Sequence, residues 1–261
     1  HLHGQKEIWT CINCLRCFSQ PELLEQHQKQ ACFNHPPGNE IYRSYEKAVD
    51  EQISIFEVDG AKEKRYCEDL CTITRFFLQA KTIEFDTKPF FFYVVALLRP
   101  TGYVMMSYFS REKPSNVFNL SCFLTLSPFQ GLGLGKFMIS VSCEFSRIEK
   151  WIGGPETPIS ETGMRTYRSY RREMLIDALR VDDNVSLRDL SERTRFTIKD
   201  VESTLRGLDI IQKRDGGCVI VLPYKLIRSL DEKRARYFGK RIAYCDPLKL
   251  HFVSIQKRVH K

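Results

Sequence analysis

The sequence predicts an α+β fold built in three parts, and three observations support that prediction. Cysteines and a histidine near the amino terminus have the spacing of a small metal-binding module. Residues 40–126 contain alternating and continuous apolar runs that predict β-strands, and the last run leads into a glycine-rich turn and a helix. Residues 171–261 combine helix-capping motifs with a hairpin pattern. We expect segments at 1–36, 37–170 and 171–261 that act as one unit.

Composition narrows the class of protein. With 261 residues, 43% of them hydrophobic and 28% charged, the chain can bury a large core, which argues against a disordered protein. The formal net charge of +8 favours an acidic partner, such as a nucleic acid or a phosphorylated ligand. No run is apolar enough to predict a membrane span or a signal peptide. Ten cysteines without such a signal indicate a reducing, intracellular compartment.

The first predicted element is a zinc finger. Cys11 and Cys14 are followed after twelve residues by His27 and after four more by Cys32, and thiolates with an imidazole at such spacing are typical of a tetrahedral zinc site. A short helix that starts at Pro21 presents His27 towards the cysteine pair. Fingers that read DNA normally occur in tandem, so this single finger is expected to be structural.

The middle of the chain is predicted to alternate strands with one helix. We expect a strand at 53–58, a turn at 59–60, a helix at 64–79 and an antiparallel pair at 90–98 and 103–109. Most phenylalanines in this region are predicted to lie in the core.

A glycine-rich turn follows the next predicted strand, at 118–126. Pro128 ends that strand, and a helix is expected from about Leu134 towards Lys150. Alternating glycines at Gly131, Gly133 and Gly135 let main-chain N–H groups approach a ligand, and the start of a helix favours negative charge. The turn therefore predicts an anion site, and phosphate is the expected anion.

Two common phosphate motifs do not fit this turn. A Walker A loop needs Ser or Thr after Gly-Lys, whereas Phe137 follows Lys136. A dinucleotide fingerprint needs a third glycine where Lys136 stands. The remaining pattern, Gln130-x-x-Gly133-x-Gly135, resembles the pyrophosphate loop of GNAT-type acetyltransferases.

Five further segments, in order along nearly the whole chain, resemble the MYST family of histone acetyltransferases. They are FNHPPGNEIYR at 33–43, IFEVDG at 55–60, KTIEFDTKPFFFY at 81–93, NLSC at 119–122 and GPETPISETG at 154–163. The arrangement Cys11, Cys14, His27, Cys32 also matches the finger of that family, although Cys17 stands close enough to compete as a ligand. The resemblance implies a GNAT-like acetyl-CoA-binding core between the finger and a carboxy-terminal segment.

The resemblance also implies the residues that bind acetyl-CoA. They are Phe123, Leu124, Thr125, Gln130, Gly131, Leu132, Gly133, Leu134, Gly135, Lys136, Ser160 and Ser169. Gly131 and Leu132 stand where the family usually has two basic residues, so the loop is expected to hold the pyrophosphate mainly through its amides. Arginines 165, 168, 171 and 172 are expected either near the CoA tail or on a solvated helix face.

Three residues are candidates for chemistry. A lysine ammonium must lose a proton before it attacks a thioester, and the resemblance assigns the acceptor to Glu156, in a loop held by Pro155 and Pro158. Cys122 is expected either to carry the acetyl group or to pack beside the acetyl-lysine tunnel, and we favour direct attack with Cys122 accessory. The resemblance implies that Lys81 is autoacetylated, whereas by its chemistry alone it is an ordinary exposed lysine after a helix.

The carboxy-terminal segment has the pattern of a winged helix-turn-helix. Capping motifs start helices after Ser186 and Thr197, and a hairpin is expected about Gly216 and Gly217. That pattern often binds DNA, but in MYST proteins the segment packs on the core and shapes the substrate groove. Lys233, Arg234, Arg236, Lys240 and Arg241 form a basic patch, expected either to touch nucleosomal DNA non-specifically or to be solvated.

The predicted function is transfer of acetyl from acetyl-CoA to histone lysines, with structural zinc, in the nucleus and in a chromatin-modifying complex that regulates transcription. One alternative is a DNA-binding zinc-finger and winged-helix transcription factor with a degenerate core. The joint presence of Glu156, Cys122 and the glycines argues against it. A second alternative, an acetyltransferase for non-histone substrates, stays open, and targeting is expected from partner subunits or from sequence outside this chain.

Overall fold

The computed structural model describes residues 7–30, 32, 34–77, 86–113, 118–182, 185–214 and 217–254. The strands are β1 Trp9–Thr10, β2 Cys17–Phe18, β3 Asn39–Glu46, β4 Glu51–Asp59, β5 Phe90–Arg99, β6 Gly102–Glu112, β7 Phe118–Leu120, β8 Phe123–Thr125, β9 Gly154–Pro155, β10 Ile211–Arg214 and β11 Gly217–Ile220. The helices are α1 Pro21–Lys29, α2 Lys64–Phe77, α3 Leu134–Glu149, α4 Glu161–Val181, α5 Leu187–Thr194, α6 Ile198–Gly207 and α7 Tyr224–Tyr237. Short 3₁₀ turns lie at Ser127–Phe129 and Pro247–Lys249.

Five strands form the central sheet, in the order β3-β4-β5-β6-β8, and all neighbouring pairs are antiparallel. This mixed architecture confirms the α+β class, and it confirms the strands predicted at 53–58, 90–98 and 103–109. Two layers cover the sheet, because successive side chains of β5 point alternately into two separate cores. Phe91, Tyr93, Val95 and Leu97 face one core, and Phe92, Val94 and Ala96 face the other.

The single strand predicted at 118–126 is wrong. The chain there forms two short strands, of which β7 pairs in parallel with β9 and β8 pairs antiparallel with β6. The change of partner occurs at Ser121 and Cys122. The Ser121 amide donates to the Ser110 carbonyl, and the Ser110 amide donates to the Cys122 carbonyl, both at 2.8 Å. The break therefore places Cys122 at the junction between the central sheet and the β7–β9 pair.

The two faces of the sheet carry different layers. On one face, Tyr66, Cys67 and Leu70 of α2 pack against the sheet, and Leu15 of the finger joins this core. We call this the finger face. On the other face lie α3, α4 and the carboxy-terminal segment, and we call this the cleft face. At its centre Phe145 of α3 stacks on Phe252, with ring centroids 3.9 Å apart.

The carboxy-terminal segment has the elements that the sequence predicted. Ser186 and Asp189 form a reciprocal capping box at the start of α5, and the Thr197 hydroxyl accepts from the Asp200 amide at the start of α6. Strands β10 and β11 form the antiparallel hairpin. Helix α4 continues through the division expected at 170 and 171, and it packs with both α3 and α6. The segment then returns to the sheet, where the His251 amide donates to the Ile41 carbonyl at 2.7 Å.

Within the described part of the chain, none of the helices has an apolar stretch long enough to cross a membrane.

Candidate functional site

A cleft of about 800 Å³ lies beside strand β8, where the first turns of α3 and α4 come together. Its walls include every predicted acetyl-CoA residue except Leu132, namely Phe123, Leu124, Thr125, Gln130, Gly131, Gly133, Leu134, Gly135, Lys136, Ser160 and Ser169. Leu132 instead packs against the core, and its carbonyl accepts a hydrogen bond from the Ile242 amide. Residues from four separated stretches of sequence thus meet in one cavity.

The glycine loop has the backbone that only glycine adopts easily. Gly131 has a φ of +83° and Gly133 a φ of +89°, both in the left-handed region, where a residue with a Cβ costs about 1–2 kcal/mol. A Cβ on Gly133 would also lie 3.1 Å from the Ile242 carbonyl oxygen. Gly135 differs, because its Cβ would make a tight contact of 3.2 Å with the Thr166 methyl group of α4. Two glycines of the loop therefore permit its left-handed backbone, and the third permits close packing against α4.

Two helices begin at this cleft, and their first turns differ. Helix α4 is capped by its own sequence, since the Ser160 hydroxyl accepts from the Gly163 amide at 3.1 Å. Helix α3 follows Gly133 and has no side-chain cap. Uncapped amides at a helix start, together with the helix dipole, favour an anion. The start of α3 is therefore the better anion site of the two.

A buried carboxylate organises the cations at one end of the cleft. Glu173 of α4 accepts hydrogen bonds from Lys136 of α3, from Lys233 of α7 at 2.8 Å, and from the Tyr244 hydroxyl. Burial alone would raise the pKa of Glu173, but these three donors outweigh it and hold the pKa at about 2. Burial also lowers the pKa of Lys136, and Glu173 opposes that effect. The group joins α3, α4, α7 and the tail.

The four arginines expected either near the CoA tail or on a solvated helix face lie in different surroundings. Arg165 lines the cleft, while Arg168 and Arg172 line an adjoining cavity of about 360 Å³ between α4 and α7. Arg171 lies in neither, because its buried guanidinium pairs with Asp200 at 2.8 Å and stacks on Tyr167. Arg171 therefore joins α4 to α6, which neither expectation for these arginines anticipated.

The basic patch of the carboxy-terminal segment is only partly free. Lys233 pairs with Glu173, and Arg234 makes two hydrogen bonds to Asp177. Lys233 and Arg241 also border the cleft. Arg236 and Lys240 are exposed. Part of this patch, which was expected either to touch DNA or to be solvated, thus borders the cleft.

Glu156 directly follows β9, and Cys122 lies two residues after the end of its partner strand β7. The Glu156 amide donates to the Leu120 carbonyl at 2.8 Å, two residues before Cys122. The Glu156 side chain is half-buried, and the Thr157–Pro158 peptide that follows it is cis. Lys81, the third candidate for chemistry, lies outside the described residues.

The Cys122 thiol lies in a short hydrogen-bond chain on the finger face. Its Sγ is 3.6 Å from the Tyr108 hydroxyl, which is 2.6 Å from the Thr74 hydroxyl, and Thr74 donates to the Leu70 carbonyl. Since the Thr74 proton is used on Leu70, the Tyr108 hydroxyl donates to Thr74. Its oxygen is then an acceptor for the Cys122 thiol. Burial raises the pKa of Tyr108, so its phenol stays protonated.

The four predicted metal ligands lie together. The donor atoms of Cys11, Cys14, His27 and Cys32 all lie within 4.8 Å of one another. The Cys11 and Cys32 sulfurs are 3.8 Å apart, and the Cys14 sulfur is 3.2 Å from Nε2 of His27. Zinc–sulfur bonds of about 2.3 Å in a tetrahedron place sulfurs about 3.8 Å apart, so the donor set fits such an ion. Cys17 is not part of this group, and its sulfur lies near Thr10 and Leu15.

Sequence reasoning missed the role of Glu173 and did not include Lys233 and Arg241 among the cleft residues. A signal for Glu173 was present, because it stands three residues after Tyr170 and three before Ile176, both buried residues of α4. A carboxylate on a buried helix stripe needs partners. The partners lie 37, 60 and 71 residues away along the chain, and no local pattern connects them.

A family model and individual relatives of the chain all indicate the same protein family. The MOZ/SAS family matches residues 35–245. The chain is 36% identical over 249 residues to a protein named histone acetyltransferase ESA1 from Mycosarcoma maydis, which covers 95% of the chain and 42% of that protein. It is 40% identical over 223 residues to histone acetyltransferase of the MYST family 1 from Arabidopsis thaliana, which covers 85% of the chain and 49% of the relative. The chain spans about half the length of the curated relatives it matches.

Proposed function

The chain belongs to the MOZ/SAS family, and we propose that it transfers acetyl from acetyl-CoA to the ε-amine of histone lysines. The observation that carries the proposal is the cleft at the start of α3, with its two left-handed glycines and uncapped helix start. In this proposal the central sheet and α3 act as a GNAT-like core, and the loop amides hold the pyrophosphate. Because histones are the proposed substrate, the protein is proposed to act on chromatin in the nucleus.

Glu156 is the proposed general base. The substrate lysine arrives as an ammonium, and its nitrogen attacks the thioester carbonyl only after a proton has moved to a nearby acceptor. Acetyl-CoA supplies the activated acyl group, and the CoA thiolate leaves and takes up a proton. The hydrogen bond from the Glu156 amide to the Leu120 carbonyl supports this role, because it fixes the backbone of Glu156 beside the strand that leads to Cys122.

Cys122 is proposed to be accessory rather than a covalent carrier. A cysteine nucleophile must be a thiolate, and thiolates need hydrogen-bond donors or cations around them. The Tyr108 oxygen presents a lone pair to this sulfur, because its proton is directed to Thr74. That arrangement stabilises the protonated thiol, which supports direct attack by the lysine within a complex of both substrates.

The cysteine-histidine group is proposed to hold one structural zinc ion. Three thiolates and one imidazole fill a tetrahedral ion completely and leave no open position for catalysis. Leu15, between the two ligand pairs, belongs to the buried core of the finger face. Zinc would therefore stabilise the packing of the finger against α2 and the sheet.

Incubation of the purified chain with labelled acetyl-CoA and core histones tests the proposal. We expect label on histone lysines, together with saturable binding of acetyl-CoA measured by calorimetry. Binding without transfer to histones, but with transfer to other proteins, would point to non-histone substrates. Absence of both binding and transfer would refute the proposal in favour of a DNA-binding factor with a degenerate core, which a DNA-binding titration would then detect.

A further inference from the structure

The carboxy-terminal segment is clamped onto the glycine loop. The Ile242 amide donates to the Leu132 carbonyl at 2.7 Å. A Cβ on Gly133 would lie 3.2 Å from the Cβ of Arg241. Because the two backbones touch here, the first atoms of the Arg241 side chain start beside the loop that is proposed to hold pyrophosphate.

Arg241 lacks the close carboxylate partner that the two lysines of the cleft share. Lys136 and Lys233 share the single carboxylate of Glu173, so their joint charge is about half neutralised. Arg165 stands 4.0 Å from Glu161. Within the part of the chain that the structure describes, no carboxylate forms an ion pair with Arg241.

The guanidinium of Arg241 is also oriented. Its central carbon lies 3.7 Å from the centroid of the Tyr237 ring, at the end of α7. Stacking on an aromatic face leaves the guanidinium edge, with its parallel N–H donors, available to an anion. A planar fork of this kind matches two oxygens of a phosphate.

The loop itself supplies no cation at Gly131 or Leu132. We propose that Arg241 fills this place and binds the pyrophosphate of the cofactor from the carboxy-terminal segment. This inference rests on the proposed function, because it assumes that a CoA pyrophosphate lies at the loop. The segment then completes the cofactor site in addition to packing on the core.

The experiment measures binding of CoA by calorimetry to the wild-type chain, to Arg241→Gln and to Arg236→Gln. Arg236 is the matched control, since it is exposed on α7 and does not border the cleft. We expect Arg241→Gln to weaken binding about tenfold, as loss of a partly exposed charged hydrogen bond does. Arg236→Gln should bind as the wild type does, and Arg241→Lys should recover part of the loss.

A second ligand identifies the phosphate. Dephospho-CoA lacks the 3′-phosphate but keeps the pyrophosphate, so Arg241→Gln should lose the same factor for both ligands. A loss for CoA alone would assign Arg241 to the 3′-phosphate and overturn the pyrophosphate assignment. Unchanged affinity for both ligands in Arg241→Gln, with melting temperature also unchanged, would overturn the inference while the proposed function stands. No binding of CoA by the wild type would refute the proposed function itself.

Discussion

The two faces of the central sheet use the same strands for different purposes. On the finger face, the specialised groups are side chains of the cysteine-histidine cluster, and the nearby cavity of about 650 Å³ is lined by apolar residues such as Ile12, Phe76 and Phe129. On the cleft face, the specialised group is a stretch of backbone, Gly131 to Gly135, surrounded by cations around Glu173. The first arrangement suits a permanent ion and the second a ligand that comes and goes.

The difference implies that stability and activity can be separated by mutation. Finger-face changes should act on folding, because the finger contributes Leu15 to a buried core. Changes at the loop glycines and at Glu156 should act on binding or turnover, because none of these residues is buried in the core. Changes at Cys122 can affect both properties. Its side chain packs against the finger-face core, and it lies two residues after Leu120, which accepts a hydrogen bond from the Glu156 amide.

Removal of zinc should have the largest effect. Structural zinc contributes about 10–16 kcal/mol of apparent binding energy in isolated fingers. Even a fraction of that, lost on Cys32→Ser or by chelation, should lower the melting temperature by about 10 °C or more. Metal analysis should find about one zinc per chain. Cys218→Ser is the control, since this exposed cysteine lies outside the cluster, and a metal-free chain that melted as before would contradict the structural assignment.

Replacement of the proposed base should come next. Glu156→Gln keeps the size of the side chain but removes the proton acceptor, so turnover should fall by about 10²–10⁴-fold. CoA affinity and melting temperature should stay unchanged. Glu161→Gln, on the exposed first turn of α4, is the control and should retain full turnover.

The pH dependence of the Glu156→Gln variant sharpens this prediction. Turnover should recover partly as pH rises, because more substrate lysine arrives already deprotonated. Cys122→Ala should keep appreciable activity. An acetylated Cys122 trapped without histone, with parallel lines in the initial-rate kinetics, would reverse the roles and make Cys122 the nucleophile.

A charged side chain in the loop should act mainly on binding. Gly133→Glu places a Cβ at a left-handed position and a negative charge against the pyrophosphate, so CoA binding should weaken by at least about 100-fold in calorimetry. Stability should fall by at least about 1–2 kcal/mol, the cost of the backbone conformation, because the new Cβ would also crowd the Ile242 carbonyl oxygen at 3.1 Å. Gly207→Glu is the control, since a Cβ there meets open space at the end of α6. Full CoA affinity in Gly133→Glu would remove the loop from the site.

Much of this arrangement follows from sequence, because its signals are local. The cysteine and histidine spacing predicted which four side chains lie together, and apolar runs predicted strands β4, β5 and β6. Capping motifs identified the starts of α5 and α6. Each of these signals lies within one element or one short span.

The rest depends on contacts between distant segments, which local patterns do not contain. The predicted strand breaks at Ser121 because its two halves pair with different partners, β7 with β9 and β8 with β6. In sequence, Arg171 cannot be told apart from the neighbouring arginines. In the fold, α6 packs beside it, and its guanidinium becomes a buried ion-pair partner of Asp200. Lys233 and Arg241 were predicted to belong to a basic patch that either touches DNA or is solvated, and the fold of the tail brings them to the cleft.

The smallest expected effect concerns the charge network that distinguishes the cleft face. Because the folded-state pKa of Glu173 is held at about 2, below its ordinary value of 4.5, its ionised form stabilises the fold. This contribution is fully present above pH 4.5 and is lost as pH falls towards 2. Glu173→Gln should therefore cost on the order of 2–3 kcal/mol in urea unfolding at pH 7, and the two curves should converge at low pH. Glu232→Gln, an exposed partner of Arg228, should cost under about 0.5 kcal/mol at either pH. A constant difference between wild type and Glu173→Gln from pH 7 to pH 2 would mean that Glu173 acts through packing, and that the cations of the cleft do not depend on it.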